Sequence, residues 1–177
     1  MGTWNPGGET GTFSFTMWIK PVNVPSGNAH HVFAKRDDWG NLAGQMWQAV
    51  VRTGSFTFER NGLGRPNNAV GAVLPPFGEW IHVAGTFENC QGQPGPAALY
   101  VNGVLATAPG AVMHFGDGTD TNIYFGMAGA GTSATWGYAG QMDDLSFWNI
   151  ALSEAAIRQL MVPGGMAKLL DTSAASN

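Results

Sequence analysis

The chain has 177 residues, 44% of them hydrophobic and only 11% charged, with a net charge of −4. That length suits one domain with a real core, and the 7 Trp, 10 Phe and 3 Tyr exclude a disordered chain. The 8 basic residues are scattered singly and offer no patch for nucleic acid, no apolar run approaches the ~20 residues of a membrane span, and Met1 to Pro6 has neither the basic nor the apolar part of a signal peptide.

The 26 Gly and 10 Pro speak against a helical bundle and for short strands joined by tight turns. The first strand signal is Phe13 to Lys20, with Phe13, Phe15, Met17 and Ile19 on one face at period two. His31 to Lys35 reads as a second short strand, followed by the polar loop Arg36 to Asn41. Gln45 to Arg52 and Ser55 to Arg60 form a hairpin across Thr53-Gly54. A loose stretch with Pro66, Pro75 and Pro76 leads to a strand over Glu79–Phe87. Ala98 to Val101 meets Val104 to Ala106 across Asn102-Gly103, a strong hairpin signal because both turn residues tolerate positive φ. Asn122 to Gly126 and Ala139 to Trp148 are the last strands. One segment reads as helix, Glu154 to Met161, with Ser153 as N-cap and Val162-Pro163-Gly164-Gly165 as its stop.

Strands spaced this way favour an antiparallel two-sheet sandwich or barrel. The lone Cys90 forms no internal disulfide and no cysteine zinc cluster, and with no motif around it reads as an incidental thiol.

Four segments in order resemble the LamG-like jelly-roll modules of the concanavalin A-like lectin/glucanase superfamily. They are Phe13 to Pro21, Trp80 to Phe87, Leu99-Tyr100-Val101-Asn102-Gly103, and Gly140 to Trp148 followed by Ala151-Leu152-Ser153-Glu154. The resemblance covers about residues 12–162, with 1–11 as a lead-in and 163–177 as a partly flexible tail. The further apolar strand that usually opens this family has no counterpart in Met1 to Gly11. The resemblance implies an all-β jelly roll with one short C-terminal helix, an extracellular or cell-surface setting, and binding of glycans or proteins more often than catalysis; a chain that stands alone and a part of a larger multidomain chain both fit.

Glycanases of this superfamily carry a Glu-x-Asp-x-x-Glu strand whose first two acids share a face. No stretch has that spacing, and the adjacent pairs Asp37-Asp38 and Asp143-Asp144 would point to opposite faces of a strand. The expectation is a non-catalytic binding module. In related jelly rolls the acid matching Asp143 often helps hold a structural calcium with an acid near the N-terminus, here Glu9; carboxylates and carbonyls suit Ca²⁺. The competing role for Asp143 is to accept backbone N–H bonds. The loop Gly116 to Asn122 also offers oxygens to calcium, although Asx-turn chemistry is the favoured explanation of the same residues. His30-His31 reads as a strand pair facing opposite ways, and His82 as a hydrogen-bonded structural histidine.

Sugar rings stack on Trp and Tyr while amides and carboxylates take their hydroxyls. The ligand-binding candidates are therefore Asp37, Asp38, Trp39 and Asn41 in one loop, Trp47 opening the neighbouring strand, and Trp136 and Tyr138 after a small-residue loop. Trp39 and Trp136 are expected to border one surface. Trp18, Trp80 and Trp148 are assigned to the core.

Overall fold

The computed structural model describes residues 4–22, 29–36, 45–60, 68–115, 122–129 and 136–162. Eleven strands and one helix follow in order: β1 (Phe13–Pro21), β2 (His30–Arg36), β3 (Gln45–Arg52), β4 (Ser55–Arg60), β5 (Asn68–Val73), β6 (Ile81–Phe87), β7 (Gly95–Val101), β8 (Val104–Leu105), β9 (Val112–Met113), β10 (Ile123–Phe125), β11 (Gly140–Trp148) and α1 (Glu154–Leu160). They form a six-stranded sheet in the order β11-β1-β6-β7-β8, with β9 also on β7, and a five-stranded sheet in the order β10-β2-β3-β4-β5. All pairings between these strands are antiparallel. This is the jelly-roll sandwich that the sequence implies. The segment with Pro66 and Pro75 proves to contain β5, whose Ala, Gly and Val content carries little strand signal by itself.

The layer between the sheets is aromatic. Phe13 and Phe15 of β1, Phe33 of β2, Phe58 of β4 and Phe87 of β6 are all fully buried. Phe58 and Phe87 bring their ring centroids to 4.4 Å, and Phe15 meets Phe33 edge-on at 5.0 Å. Each such ring stabilises the fold by ~2–3 kcal/mol through burial before entropy costs. Gly85 of β6 faces the same layer, where an added Cβ would run into the Phe15 ring. Trp47 belongs here too. Expected at a ligand surface, it is fully buried and packs on Phe13 and Phe58 at 5.8 and 5.6 Å, because alternation along β3 sets it inward with Ala49 and Val51.

The same alternation corrects the opposite expectation for three tryptophans. Trp18 has the other parity from Phe13, Phe15, Met17 and Ile19, so it is half-buried on the outer face, edge-on to His82 at 5.2 Å. Trp80 precedes β6 and is 41% exposed. Trp148 is half-buried on the outer face, against a small second cluster of Ala84, Leu152 and Ile157.

That cluster exists because α1 covers the six-stranded sheet from outside. Ser153 caps the helix by accepting the Ala156 N–H at 3.2 Å. Ile157 is its buried residue. Ser14 of β1 ties the approach down, donating to the Ile150 carbonyl and accepting the Leu152 N–H, both at 2.8 Å. Before β1, Trp4 lies edge-on to Phe147 at 5.4 Å.

Candidate functional site

Among the described residues no such helix lies over the five-stranded sheet; its outward residues mix the polar Gln48, Arg52, Ser55, Thr57 and Glu59 with Ala34, Val50, Ala69 and Gly71, those of β2 and β3 as far as Val50 being buried. The turn at Thr53-Gly54, with Gly54 at φ 73, sets the hairpin register as Arg52 opposite Ser55, Val50 opposite Thr57 and Gln48 opposite Glu59. Continued across the sheet, Gln48 and Glu59 share a row with Tyr124, Ala34 and Ala69. Within it the Arg36 guanidinium donates to Gln48 Oε1 at 2.6 Å, and Gln48 Nε2 donates to Glu59 Oε1 at 2.7 Å. Arg52 reaches back along the sheet to donate to the same Glu59 oxygen at 2.9 Å.

Arg36, Gln48 and Glu59 are 5% exposed or less. Buried charge is tolerable only when paired and hydrogen-bonded, which this chain of bonds achieves. Arg52 differs, with its side chain 39% exposed. Beside it Ser55 and Thr57 are half-buried, and Ala69 and Gly71 of β5 are exposed. The result is a shallow floor of small side chains and hydroxyls, bordered by a half-exposed arginine paired with a buried carboxylate. Such a surface can exchange hydrogen bonds with a hydroxyl-rich ligand: Arg52 donates, Glu59 accepts, and Ser55 and Thr57 do both.

The expected site residues are distributed as follows. Asp37, Asp38, Trp39 and Asn41 lie outside the described residues. Trp136 is half-buried, and its carbonyl faces His31 Nδ1 at 3.1 Å with the rings edge-on at 6.4 Å. Tyr138 is half-buried; its hydroxyl donates to the Gln141 carbonyl at 3.3 Å, and burial pushes its ionisation well up. Trp136 and Tyr138 are thus brought together beside the start of β2. The loop holding Trp39 leaves β2 from its other end at Arg36, five residues or ~17 Å along the strand.

Glu9 and Asp143 are not brought together. Glu9 sits in the turn ahead of Phe13, whereas Asp143 pairs with Trp18, most of the length of β1 away. Asp143 Oδ1 accepts the N–H of Asp144 at 2.9 Å. Asp144 has φ 51, and here β11 carries one residue more than β1 between paired positions. Asp143 therefore caps a β-bulge in an edge strand. The two carboxylates do not fit a shared ion, and among the described residues no group of three His, Cys, Asp or Glu is placed to hold a metal.

The histidines and the thiol have structural surroundings. His31 is fully buried, and desolvation lowers its pKa against the Trp136 carbonyl bond that raises it. His82 is 2% exposed, burial pushes it down to about 4, and its Nδ1 has no hydrogen-bond partner; the expected side-chain hydrogen bond is missing at that nitrogen. Cys90 is buried and pushed up to about 11, so the incidental-thiol expectation matches its surroundings.

Sequence reasoning passed over Gln48, Arg52, Thr57 and Glu59. The signal was available. A two-residue turn at Thr53-Gly54 fixes which residues face each other, and it sets a glutamine opposite a glutamate with an arginine on the same face.

A family model of laminin G type, described as the concanavalin A-like lectin/glucanases superfamily, matches residues 4–158. The chain belongs to this superfamily. Solved structures similar to this concanavalin A-like domain include a native heptameric SAP-like pentraxin from Limulus polyphemus (17% identity, TM-score 0.57), with 85% of this chain and 70% of that chain covered. The receptor binding domain of botulinum neurotoxin type G (10%, TM-score 0.59) is matched over 84% of this chain and 37% of that one. The binding domain of a Paraclostridial mosquitocidal protein (14%, TM-score 0.58) is matched over 84% and 36%. The chain thus spans little more than a third of either toxin domain. These likenesses bear on fold. No curated protein matches the chain. No helix among the described residues is long and apolar enough to cross a membrane.

Proposed function

We propose that this domain is a non-catalytic binding module that holds a glycan on the outer face of its five-stranded sheet, in an extracellular setting. The observation that carries the reading is the Arg52–Glu59 pair. It places a half-exposed donor and an anchored acceptor beside Ser55 and Thr57, over a floor kept low by Ala69 and Gly71. Glu59 is the one carboxylate among the described residues of this face, while retaining glycoside hydrolysis takes two, about 5 Å apart. Two of the similar structures are named as binding domains, which agrees with the reading.

An open face of this kind gives affinities on the order of micromolar to millimolar. A glycan array followed by titration calorimetry tests it. Arg52→Ala and Thr57→Val are expected to weaken binding about tenfold, the value of one lost hydrogen bond of ~1.4 kcal/mol, with little change in melting temperature. Undiminished binding by both variants rejects the face. A protein ligand on the same surface is the second reading, favoured by Val73, which is 80% exposed at its border. A silent array combined with loss of a protein contact in Arg52→Ala would select it.

A further inference from the structure

The chain is acidic, with 12 acids against 8 bases, but its charge is divided unevenly between the two sheets. Strands β2, β3 and β4 carry four bases, Lys35, Arg36, Arg52 and Arg60, against one acid, Glu59, a net +3. The other acids among the described residues are Glu9, Glu79, Glu88, Asp143, Asp144 and Glu154. They belong to or adjoin the six-stranded sheet and α1, where Lys20 and Arg158 are the only described bases. Positive charge gathered on one sheet of a negative chain makes a field that selects what that sheet meets.

The four bases do not meet solvent alike. Lys35 is 0% exposed and shares its row with the inward Trp47. Arg60 is 9% exposed and donates to the carbonyl of Phe115 at 3.3 Å. Arg36 is 1% exposed and is bound to Gln48 on the outer face. Only Arg52 brings its charge to the surface, with its side chain 39% exposed. Salt screens buried charges weakly, so the other three add to the potential that Arg52 presents.

Glu59 leaves most of the Arg52 guanidinium unused. Its Oε1 takes one N–H from Nη2 of Arg52 at 2.9 Å, beside the amide of Gln48 at 2.7 Å. A guanidinium has five N–H groups in a planar fork, and the others of Arg52 have no acceptor among the described residues. Ser55 stands opposite Arg52 in the register, with Thr57 two residues along β4. Two parallel N–H groups on the edge of a guanidinium match the oxygen pair of a carboxylate or a sulfate, and neighbouring hydroxyls can donate to the same group.

Resting on the glycan reading of this face, we propose that its ligand is an acidic glycan. Arg52 selects it by a forked bond to a carboxylate or sulfate on the sugar, while Glu59 holds the guanidinium in place. A neutral sugar meets the same hydroxyls without that bond.

The full chain tests this on a glycan array that holds neutral, carboxylated and sulfated members. Acidic glycans should be the strongest binders, and the carboxylated and sulfated sets show which anion is preferred. Calorimetry then compares the best acidic binder with the same glycan methyl-esterified or desulfated. Arg52→Gln should weaken the acidic form ten- to hundredfold, the value of a charge-assisted hydrogen bond, and the uncharged form much less. Arg52→Lys keeps the charge without the fork and should fall between wild type and Arg52→Gln. Raising salt from ~50 to ~500 mM should weaken only the acidic form. Melting curves check that both variants fold, and an unfolded Arg52→Gln leaves Arg52→Lys and the salt series to decide. Neutral glycans as the strongest binders, equal losses for the two forms in Arg52→Gln, or indifference to salt would overturn the acidic ligand and leave the face a glycan site. A silent array, or undiminished binding in both Arg52→Ala and Thr57→Val, overturns the face itself and the acidic ligand with it.

Discussion

The two outer faces of this sandwich are built on opposite principles. On the six-stranded sheet the chain supplies its own cover: α1 lays Ile157 over Ala84 and Leu152, and Tyr100 and Trp148 fill in around them. On the five-stranded sheet Arg36, Gln48, Glu59 and Arg52 are joined by hydrogen bonds across neighbouring rows, with all but Arg52 buried. A covered face becomes a second small core and contributes stability. A face satisfied by its own polar chain keeps one half-exposed charge and hydroxyls available to something else. The contrast separates what holds the fold from what meets a ligand, and substitutions can pull the two apart.

The largest effect is expected on the covered face. Ile157→Ala removes its only fully buried helix side chain and should cost ~2–5 kcal/mol, a drop of very roughly 4–20 °C at ~2–4 °C per kcal/mol. Glycan titration at a temperature where the variant is folded should give the wild-type affinity. A matching loss of affinity would show that the faces are coupled.

Acid should loosen the same face. His82 has an unfolded value of 6.5 and is held near 4 by burial, so it is neutral in the fold. Its contribution is complete above pH 6.5 and is lost as pH falls toward 4, with an upper bound of ~3 kcal/mol. Urea midpoints at pH 7 and pH 4 for wild type and His82→Leu isolate it. The variant should lose less stability over that interval, and equal losses would reject the assignment.

The fold was legible in the sequence where one face of a strand is apolar and the other is not. Phe13, Phe15, Met17 and Ile19 announced β1, and Asn102-Gly103 announced the turn between β7 and β8. β5 was not legible, since Ala69, Gly71 and Ala72 have neither β-branching nor clear alternation. Which face a residue takes was less legible than the strands themselves. Trp47 was placed at a surface by its nearness to a polar loop, although its parity with Ala49 and Val51 puts it inside. Trp18 and Trp148 went the other way, because a strand pattern says that a residue belongs to a face and not which face is covered. Only the pairing of sheets and helix decides that.

A smaller effect is expected on the ligand face. Glu59→Ala leaves the buried Gln48 amide and the half-exposed Arg52 without their shared acceptor and should cost ~1–3 kcal/mol, along with measurable glycan affinity. Glu59→Gln keeps the shape and an oxygen that can accept from both Gln48 and Arg52, and should recover most of the stability but not the affinity, because its neutral amide no longer holds the Arg52 guanidinium by charge. Recovery of both would reduce Glu59 to a structural role.

The smallest effect concerns Asp143. As the cap of a bulge in an edge strand, its replacement by Ala should cost ~0.5–1 kcal/mol. With Glu9 a strand's length away, melting should be the same in chelator and in millimolar calcium. A rise with calcium, retained in Asp143→Ala, would place an ion elsewhere in the chain.

The pairing of β1 with β11 also bears on how the protein comes into being. Ser14 is bonded to Leu152, 138 positions away, so β1 finds β11 only after the whole of the intervening domain has been made. Contacts this distant carry a large loop-closure cost and slow folding. While the intervening residues are added, β1 holds an apolar stripe and an edge that only β11 will pair. The nascent chain is expected to be open to mispairing with other chains over that interval, and any fragment ending before residue 148 should be insoluble even though it carries most of the aromatic core.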